Sequence, residues 1–166
     1  MAICSKGRIV IHIGVDPGLK GGLFAINGPY SRQLVMPTVL VKNKPKLDGI
    51  KIVEWFNEFA GQFFVTIELV HAMPKQGSVS MFSFGMGYGL IQGICLGLGL
   101  PYQLVRPQEW QKEMLKGQPK GSEYLVASRL WPDIDWRATK RSKKPHDGLV
   151  DAALICEYGR RMRGDD

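Results

Sequence analysis

The sequence of 166 residues has few cysteines, fewer acidic than basic residues, and no long apolar run. Cys4, Cys95 and Cys156 are odd in number and form no CxxC pair, which argues against a disulfide scaffold and a cysteine zinc site. We expect reduced thiols in a reducing compartment. The apolar, uncharged stretch of residues 84–100 is shorter than the roughly 20 residues that cross a bilayer and contains six glycines. It predicts a buried helix, and we expect no membrane association.

Length and charge narrow the classes of protein to which this chain can belong. A chain of 166 residues predicts a single domain over 1–166, too small for the two lobes of a sugar-kinase-like ATPase. Hydrophobic residues make up 45%, which excludes a disordered chain. Lys and Arg number 22 against 15 acidic residues, and the resulting net charge of +7 favours a polyanionic partner, nucleic acid first. Residues 1–9 carry no apolar stretch typical of an export signal, although removal of an organellar transit peptide stays open.

The order of apolar runs and turns predicts a mixed α/β sheet with helices on both faces. The β-branched run Arg8–Val15 ends at Asp16-Pro17-Gly18, which is turn chemistry. Gly21–Ile26 and Leu34–Val41 are predicted to continue it as an antiparallel meander. The rest of the chain predicts a helix from Asp48 to about Gly61, a strand over Phe63–Leu69, a loop over His71–Ser80, a helix over Met81–Leu98, a strand over Tyr102–Val105, and helices beginning at Pro107, Ser122 and Pro145.

Four carboxylates occupy positions where solvation is difficult. Asp16 and Glu68 end apolar strands, and Asp147 and Asp151 lie at i and i+4 on the last helix, with Cβ atoms expected about 5–6 Å apart. Like charges at that spacing destabilise a helix unless a cation offsets them. An all-oxygen ligand set indicates Mg²⁺ or Mn²⁺, and two such ions suit in-line phosphoryl displacement. Taken singly, Asp16 could form a turn and Asp147 could cap the helix; their joint occurrence favours a catalytic site.

Four segments together resemble the RuvC-type Holliday junction resolvases of the RNase H-like superfamily, and are most similar to the plant chloroplast resolvases and related phage or bacterial members. They read IGVDPGLKGGLFAI, TIELV, KQGSVSMFSFGMGYGLIQGICLGLGLPYQLVRPQEWQ and KPHDGLVDAALICEYGRR. The resemblance extends over about Ile9 to Arg160, nearly the whole chain.

The resemblance implies a fold, an activity and a ligand set. The fold would be an RNase H-like sheet, with the first three strands antiparallel and strand order 3-2-1-4-5. The activity would be symmetrical nicking of four-way DNA junctions by a homodimer with two Mg²⁺ ions per active site, for which Mn²⁺ would substitute. The family's metal-binding carboxylates fall on Asp16, Glu68, Asp147 and Asp151. Since bacterial members usually space the last two ligands three apart, either Asp147 or the adjacent His146 could complete the site.

A basic loop before the last helix is the first predicted DNA contact. Its position beside the acidic centre would let it reach flanking phosphates. Its basic residues are Arg137, Lys140, Arg141, Lys143 and Lys144. Lys120 resembles a family lysine near the scissile phosphate, with an uncertain register.

The segment before the Gly-rich helix is the second predicted DNA contact. Lys75 lies in its loop, and Met81 or Phe82 at the helix start could unstack bases as an apolar wedge or simply begin the core stripe of the helix. Glycines recur every fourth residue along this helix, at Gly85, Gly89, Gly93 and Gly97. They would allow close packing, either within the chain or across a two-fold dimer interface.

Two rival functions remain at the level of the sequence. One is a nuclease of the same superfamily acting on RNA or RNA–DNA hybrids. The other is a noncatalytic architectural DNA-binding module, against which the four intact carboxylates argue. The compartment expected for a resolvase is the cytoplasm of a bacterium or a phage-infected host, or an organelle matrix such as the chloroplast.

Overall fold

The computed structural model describes residues 10–70 and 77–164, which form one mixed α/β unit. The strands are β1 (Val10–Asp16), β2 (Gly22–Asn27), β3 (Tyr30–Val35), β4 (Thr38–Val41), β5 (Lys44–Leu47), β6 (Gln62–Glu68) and β7 (Tyr102–Val105). The helices are α1 (Gly49–Asn57), α2 (Ser78–Gly97), α3 (Pro107–Met114), α4 (Glu123–Leu130) and α5 (Asp147–Arg163).

The main sheet has five strands in the order β3-β2-β1-β6-β7. Strands β1, β2 and β3 pair antiparallel, while β1–β6 and β6–β7 pair parallel. Counting only the strands of this sheet, the order is 3-2-1-4-5, so the predicted RNase H-like sheet is confirmed. The buried β-branched residues of β1 explain why this strand lies at the centre.

The prediction of a third strand over Leu34–Val41 is wrong. The third strand of the main sheet is β3, which starts at Tyr30 directly after a tight turn at Gly28 (φ 57°). The chain then leaves the sheet, and β4 pairs with β5 as a separate two-stranded hairpin. All residues of β4 are exposed although three of the four are apolar, so the composition of this segment gave no sign that it lies outside the core sheet.

Several helix boundaries also differ from the predicted ones. Helix α2 begins at Ser78, so the predicted loop over His71–Ser80 ends earlier, and its residues 71–76 lie outside the described structure. The last helix begins at Asp147 and not at Pro145, because the Nδ1 atom of His146 accepts a hydrogen bond from Leu149 N and caps it.

The core consists of two hydrophobic clusters, one on each face of the sheet. Helices α1 and α2 cover the cluster that contains Ile13 and Val15, and α5 covers the other. On the α5 face the backbones approach so closely that a Cβ built on Gly14 would overlap backbone atoms of Ala152 and Cys156. This contact holds α5 directly against the central strand. No helix in the described part of the chain is long and apolar enough to cross a membrane.

Candidate active site

Asp16 and Glu68 lie next to each other at one edge of the sheet, which we call the carboxylate edge. Strands β1 and β6 are parallel, and Val15 is in register with Ile67, so the next residue of each strand shares a row. Neighbouring strands are about 4.8 Å apart. Since Val15 and Ile67 point into the cluster under α1 and α2, Asp16 and Glu68 point to the opposite face, towards α5.

Helix α5 adds the third carboxylate. A Cβ on Gly148 would overlap backbone atoms of Lys20 and Gly21, which shows that the first turn of the helix lies directly on the loop that follows Asp16. Asp151 is half-buried one turn further along, and its electrostatic partners include both strand-end carboxylates. The structure thus places Asp16, Glu68 and Asp151, from three elements that are distant in sequence, within electrostatic reach of one another.

The three carboxyl groups oppose one another's ionisation. Burial raises the pKa of Asp151 to about 7, with further increases from Asp16, Glu68, Glu123 and Asp147, in that order. Burial also raises the pKa of Asp16, against opposing effects of a hydrogen bond from Gly18 N and the nearby His146. A half-buried site with this excess of negative charge is stabilised by a proton or a cation.

Glu68 is held by a tryptophan that the sequence analysis did not single out. The Nε1 atom of Trp110 donates a 2.8 Å hydrogen bond to Glu68 Oε1, and the Trp110 side chain is 1% exposed. Burial raises the pKa of Glu68, the bond from Trp110 lowers it, and the charge of Asp16 raises it. The sequence signal for this contact was the helix start at Pro107 directly after β7, whose end lies beside Glu68.

A second acidic residue was also missed. Glu123, in the first turn of α4, raises the pKa of Asp151 more than Asp147 raises it. Its sequence position at an ordinary helix start gave no indication that α4 packs near the carboxylates.

The structure separates the two candidates for the fourth ligand. His146 is half-buried near Asp16, whereas Asp147 is exposed and raises the pKa of Asp151 least among the four neighbouring acidic residues. Because the unprotonated Nδ1 of His146 accepts the capping bond from Leu149 N, the neutral imidazole carries its proton on Nε2. His146 can bind a metal through Nε2 only if this proton moves to Nδ1 and the capping bond is broken.

The donor chemistry of this site fits a hard divalent cation, since its three half-buried side chains offer only carboxylate oxygens. Within 10–70 and 77–164, however, no three His, Cys, Asp or Glu side chains lie close enough together to hold a metal ion. Instead of pointing at a shared ligand position, the Glu68 carboxylate is hydrogen-bonded to Trp110 Nε1.

The predicted basic loop is exposed beside the start of α5. Lys140, Arg141, Lys143 and Lys144 are all exposed. Arg137 differs, because its guanidinium forms two hydrogen bonds of 2.7 and 2.8 Å with the carboxylate of Asp135. Four of the five predicted cations are therefore exposed and form no ion pair with the described residues, whereas the fifth is engaged within the loop.

The other predicted DNA contacts have different surroundings. Lys120 is exposed in the turn before α4. Phe82 is 72% exposed on the first turns of α2, whereas Met81 beside it is half-buried, so only Phe82 has the exposure of a wedge. Lys75 lies outside the described residues.

The glycine repeat of α2 faces away from the rest of the described chain. A Cβ at any of the four repeat positions Gly85, Gly89, Gly93 and Gly97 would meet nothing within 4 Å. Exposed Met86 and Leu96 extend this surface, whereas the opposite side of α2 buries Ile91 and Cys95. The glycines therefore do not serve packing within the described part of the chain.

Comparison with known proteins gives matches only among solved structures. The structure of T. thermophilus RuvC in complex with Holliday junction substrate matches with a TM-score of 0.58 and 16% identity, over 94% of this chain and 96% of the other. This chain has a RuvC-like fold. A second Thermus thermophilus RuvC structure matches with a TM-score of 0.57 and 16% identity, over 92% and 96% of the two chains. No family model and no curated protein matches. A particular similarity to the plant chloroplast or phage resolvases is not among these findings.

Proposed function

We propose that this chain is a Mg²⁺-dependent, structure-selective endonuclease that resolves four-way DNA junctions by symmetrical phosphodiester hydrolysis. The observation that carries the proposal is the electrostatic proximity of the half-buried Asp16, Glu68 and Asp151 beside a strongly basic loop. The RuvC-like fold supports it, and one of the similar structures holds a Holliday junction.

The residues of the site have distinct tasks in this proposal. Asp16, Glu68 and Asp151 would hold two Mg²⁺ ions, or Mn²⁺ in their place, and the proposal assigns the fourth position to His146 and not to Asp147. When bound, these ions supply the charge that stabilises the attacking and leaving oxygens of an in-line displacement. Trp110 orients Glu68, and the exposed cations of the basic loop bind the phosphates that flank the scissile bond.

The exposed face of α2 supports a homodimer. A four-way junction offers two equivalent strands, and symmetrical resolution requires a cut in each. A two-fold contact along Gly85, Gly89, Gly93 and Gly97 would cover the uncovered apolar surface of this helix. It would also bring two copies of the exposed Phe82 near the centre of the junction.

The decisive experiment compares substrates and site variants. Labelled four-way junction, linear duplex, flap and RNA–DNA hybrid are incubated with the protein in Mg²⁺ or in EDTA. We expect paired cuts on the junction only with Mg²⁺; cleavage of the hybrid alone would support the RNA nuclease alternative, and binding without any cleavage would support an architectural module.

Site variants test the carboxylates separately from DNA binding. Asp16→Asn and Asp151→Asn are expected to abolish cleavage while junction binding stays within a few fold, because they remove metal ligands and no phosphate contact. His146→Ala is expected to reduce cleavage more than Asp147→Asn does. Equal loss of binding and cleavage in the Asn variants would refute the site assignment.

A further inference from the structure

The β4–β5 hairpin is the part of the described fold that the proposed site does not use. Its two four-residue strands are joined by the two-residue turn Lys42–Asn43, in which both residues have positive φ angles of 49° and 59°. This is the turn geometry that matches the twist of a tight hairpin. The hairpin is therefore a defined two-stranded ribbon.

The hairpin leaves the sheet at the carboxylate edge. Val35, the last residue of β3, is in register with Gly22 of β2, which is in register with Asp16. Met36 N then donates to Gly21 O at 3.0 Å, which ties the first residue after β3 to the loop behind Asp16. A 2.9 Å hydrogen bond from Asp48 N to Pro37 O closes the base of the hairpin.

The hairpin is braced against α2 at its base and exposed at its tip. Lys46 Nζ donates a 2.7 Å hydrogen bond to Ser83 Oγ, next to the exposed Phe82. Buried Leu47 lies against Gly87 of the same helix. Beyond these contacts all four residues of β4 are exposed, including Leu40 at 71%.

The charge of the hairpin has one sign. Residues 38–47 contain Lys42, Lys44 and Lys46 and no acidic residue. Lys42 and Lys44 are exposed, and neither forms an ion pair with any part of the chain that the structure describes. The basic loop 137–144 leads into α5 on the opposite face of the sheet, so cations flank the carboxylate edge from both faces.

We propose that the β4–β5 hairpin is a second DNA-binding arm, which enters the major groove of a duplex arm of the substrate next to the cleaved strand. The major groove admits a two-stranded β-ribbon. Lys42 and Lys44 at the tip bind phosphates across that groove, and the exposed Leu40 of β4 faces the bases and sugars. The inference rests on the proposed function and specifies how the same site holds its substrate.

The first test measures the salt dependence of junction binding in EDTA, where cleavage does not interfere. The double variant Lys42→Ala/Lys44→Ala is compared with Lys112→Ala/Lys116→Ala, which removes the same charge from the α3 region. We expect the hairpin variant to lower the log-log slope by about 1.8, since each lost phosphate contact contributes about 0.9. The α3 variant should leave the slope close to that of the wild type, and equal slopes in all three proteins would overturn the inference.

The second test identifies the groove. Methylation of guanine N7 by dimethyl sulfate reads the major groove directly, because N7 is exposed there. With junction saturated by protein, the wild type should protect guanines in the arm beside the cut, and Leu40→Asp should lose this protection while the protein keeps its thermal stability. Unchanged protection in Leu40→Asp overturns the placement in the groove.

The oligomeric state shows whether the hairpin contacts DNA or a second copy of the chain. If the hairpin variants sediment as monomers and the slope is unchanged, the hairpin contacts a second copy and not DNA, and the inference is wrong. If the wild type binds no junction, the proposed function itself fails. If the wild type binds and cleaves and the hairpin variants are indistinguishable from it, only the hairpin inference fails.

Discussion

Replacing Asp151 by asparagine should stabilise the metal-free protein at alkaline pH. Asparagine has nearly the same size and shape, so the packing of α5 on β1 is retained while the ionisable group is removed. The structure raises the pKa of Asp151 to about 7, against an ordinary value of 3.8. In the folded protein the Asp151 carboxyl group therefore keeps its proton up to about neutral pH. In the unfolded chain the same group loses its proton near pH 4.

The sign of the effect follows from this difference. A raised pKa stabilises the fold fully below about pH 4, and this contribution is lost as pH rises to about 7, because only the unfolded chain ionises freely in that interval. Each pKa unit corresponds to about 1.36 kcal/mol, so the wild-type protein loses between about 2 and 4 kcal/mol of its free energy of unfolding at pH 8. The lower figure allows for the partial exposure of Asp151. For a chain of this size that corresponds to a rise in melting temperature of up to about 10 °C in the variant.

Urea unfolding in EDTA at pH 4.5 and pH 8 measures the difference. The difference in free energy of unfolding between Asp151→Asn and wild type should be small at pH 4.5 and should grow in favour of the variant by pH 8, because the loss begins near pH 4 and is complete near pH 7. Glu54→Gln, which removes an exposed carboxylate from α1, is the matched control and should behave as the wild type does. Mg²⁺ should stabilise the wild type at pH 8 and have much less effect on the variant.

Two results would contradict this reasoning. Parallel pH profiles for wild type and variant would mean that Asp151 is solvated like an ordinary surface carboxylate. A lower stability of the variant at pH 8 would mean that the ionised carboxylate makes a structural contact that the fold needs.

Three further predictions concern the supporting residues. Trp110→Phe removes a hydrogen bond to a carboxylate worth about 1.5–3 kcal/mol, and should slow junction cleavage and raise the Mg²⁺ concentration needed for half-maximal rate. Trp136→Phe is the control, because its buried Nε1 has no partner among the described residues. Lys143→Ala/Lys144→Ala should weaken binding to junction and duplex alike and lower the log-log salt slope by up to about 2; an unchanged slope would show that the loop does not touch phosphate. Gly93→Leu should reduce the dimer fraction in light scattering and turn linear product of a cruciform plasmid into nicked product, and a monomeric wild type that linearises the plasmid in one binding event would refute the dimer.

The sheet and two of the three central carboxylates could be predicted because local sequence determines them. Apolar runs that end in a carboxylate indicate where a strand stops, and two adjacent parallel strands bring Asp16 and Glu68 to the same edge. Asp151 followed from its helical spacing together with the resemblance.

The remaining features depend on tertiary contacts that no local pattern encodes. The apolar residues of β4 predict a buried strand, yet the turn at Lys42–Asn43 returns the chain before it can join the sheet. Trp110 has the composition of a core residue, and its role depends on the side to which its indole N–H points. The choice between His146 and Asp147 was open because Asp147 and Asp151 are four apart where bacterial members of the family usually space these ligands three apart, and the burial of two adjacent side chains at a helix start depends on tertiary packing.

The backbone contact between α5 and β1 has a consequence for the order in which the carboxylate cluster forms during folding. Asp16 belongs to β1 and Asp151 to α5, and the overlap that a Cβ on Gly14 would cause shows that no spacer separates these two elements. Because β1 and α5 are far apart in sequence, the cluster is completed only when this long-range contact forms. On the proposed function, a fragment that ends before α5 retains Asp16 and Glu68, lacks Asp151, and is expected to be inactive.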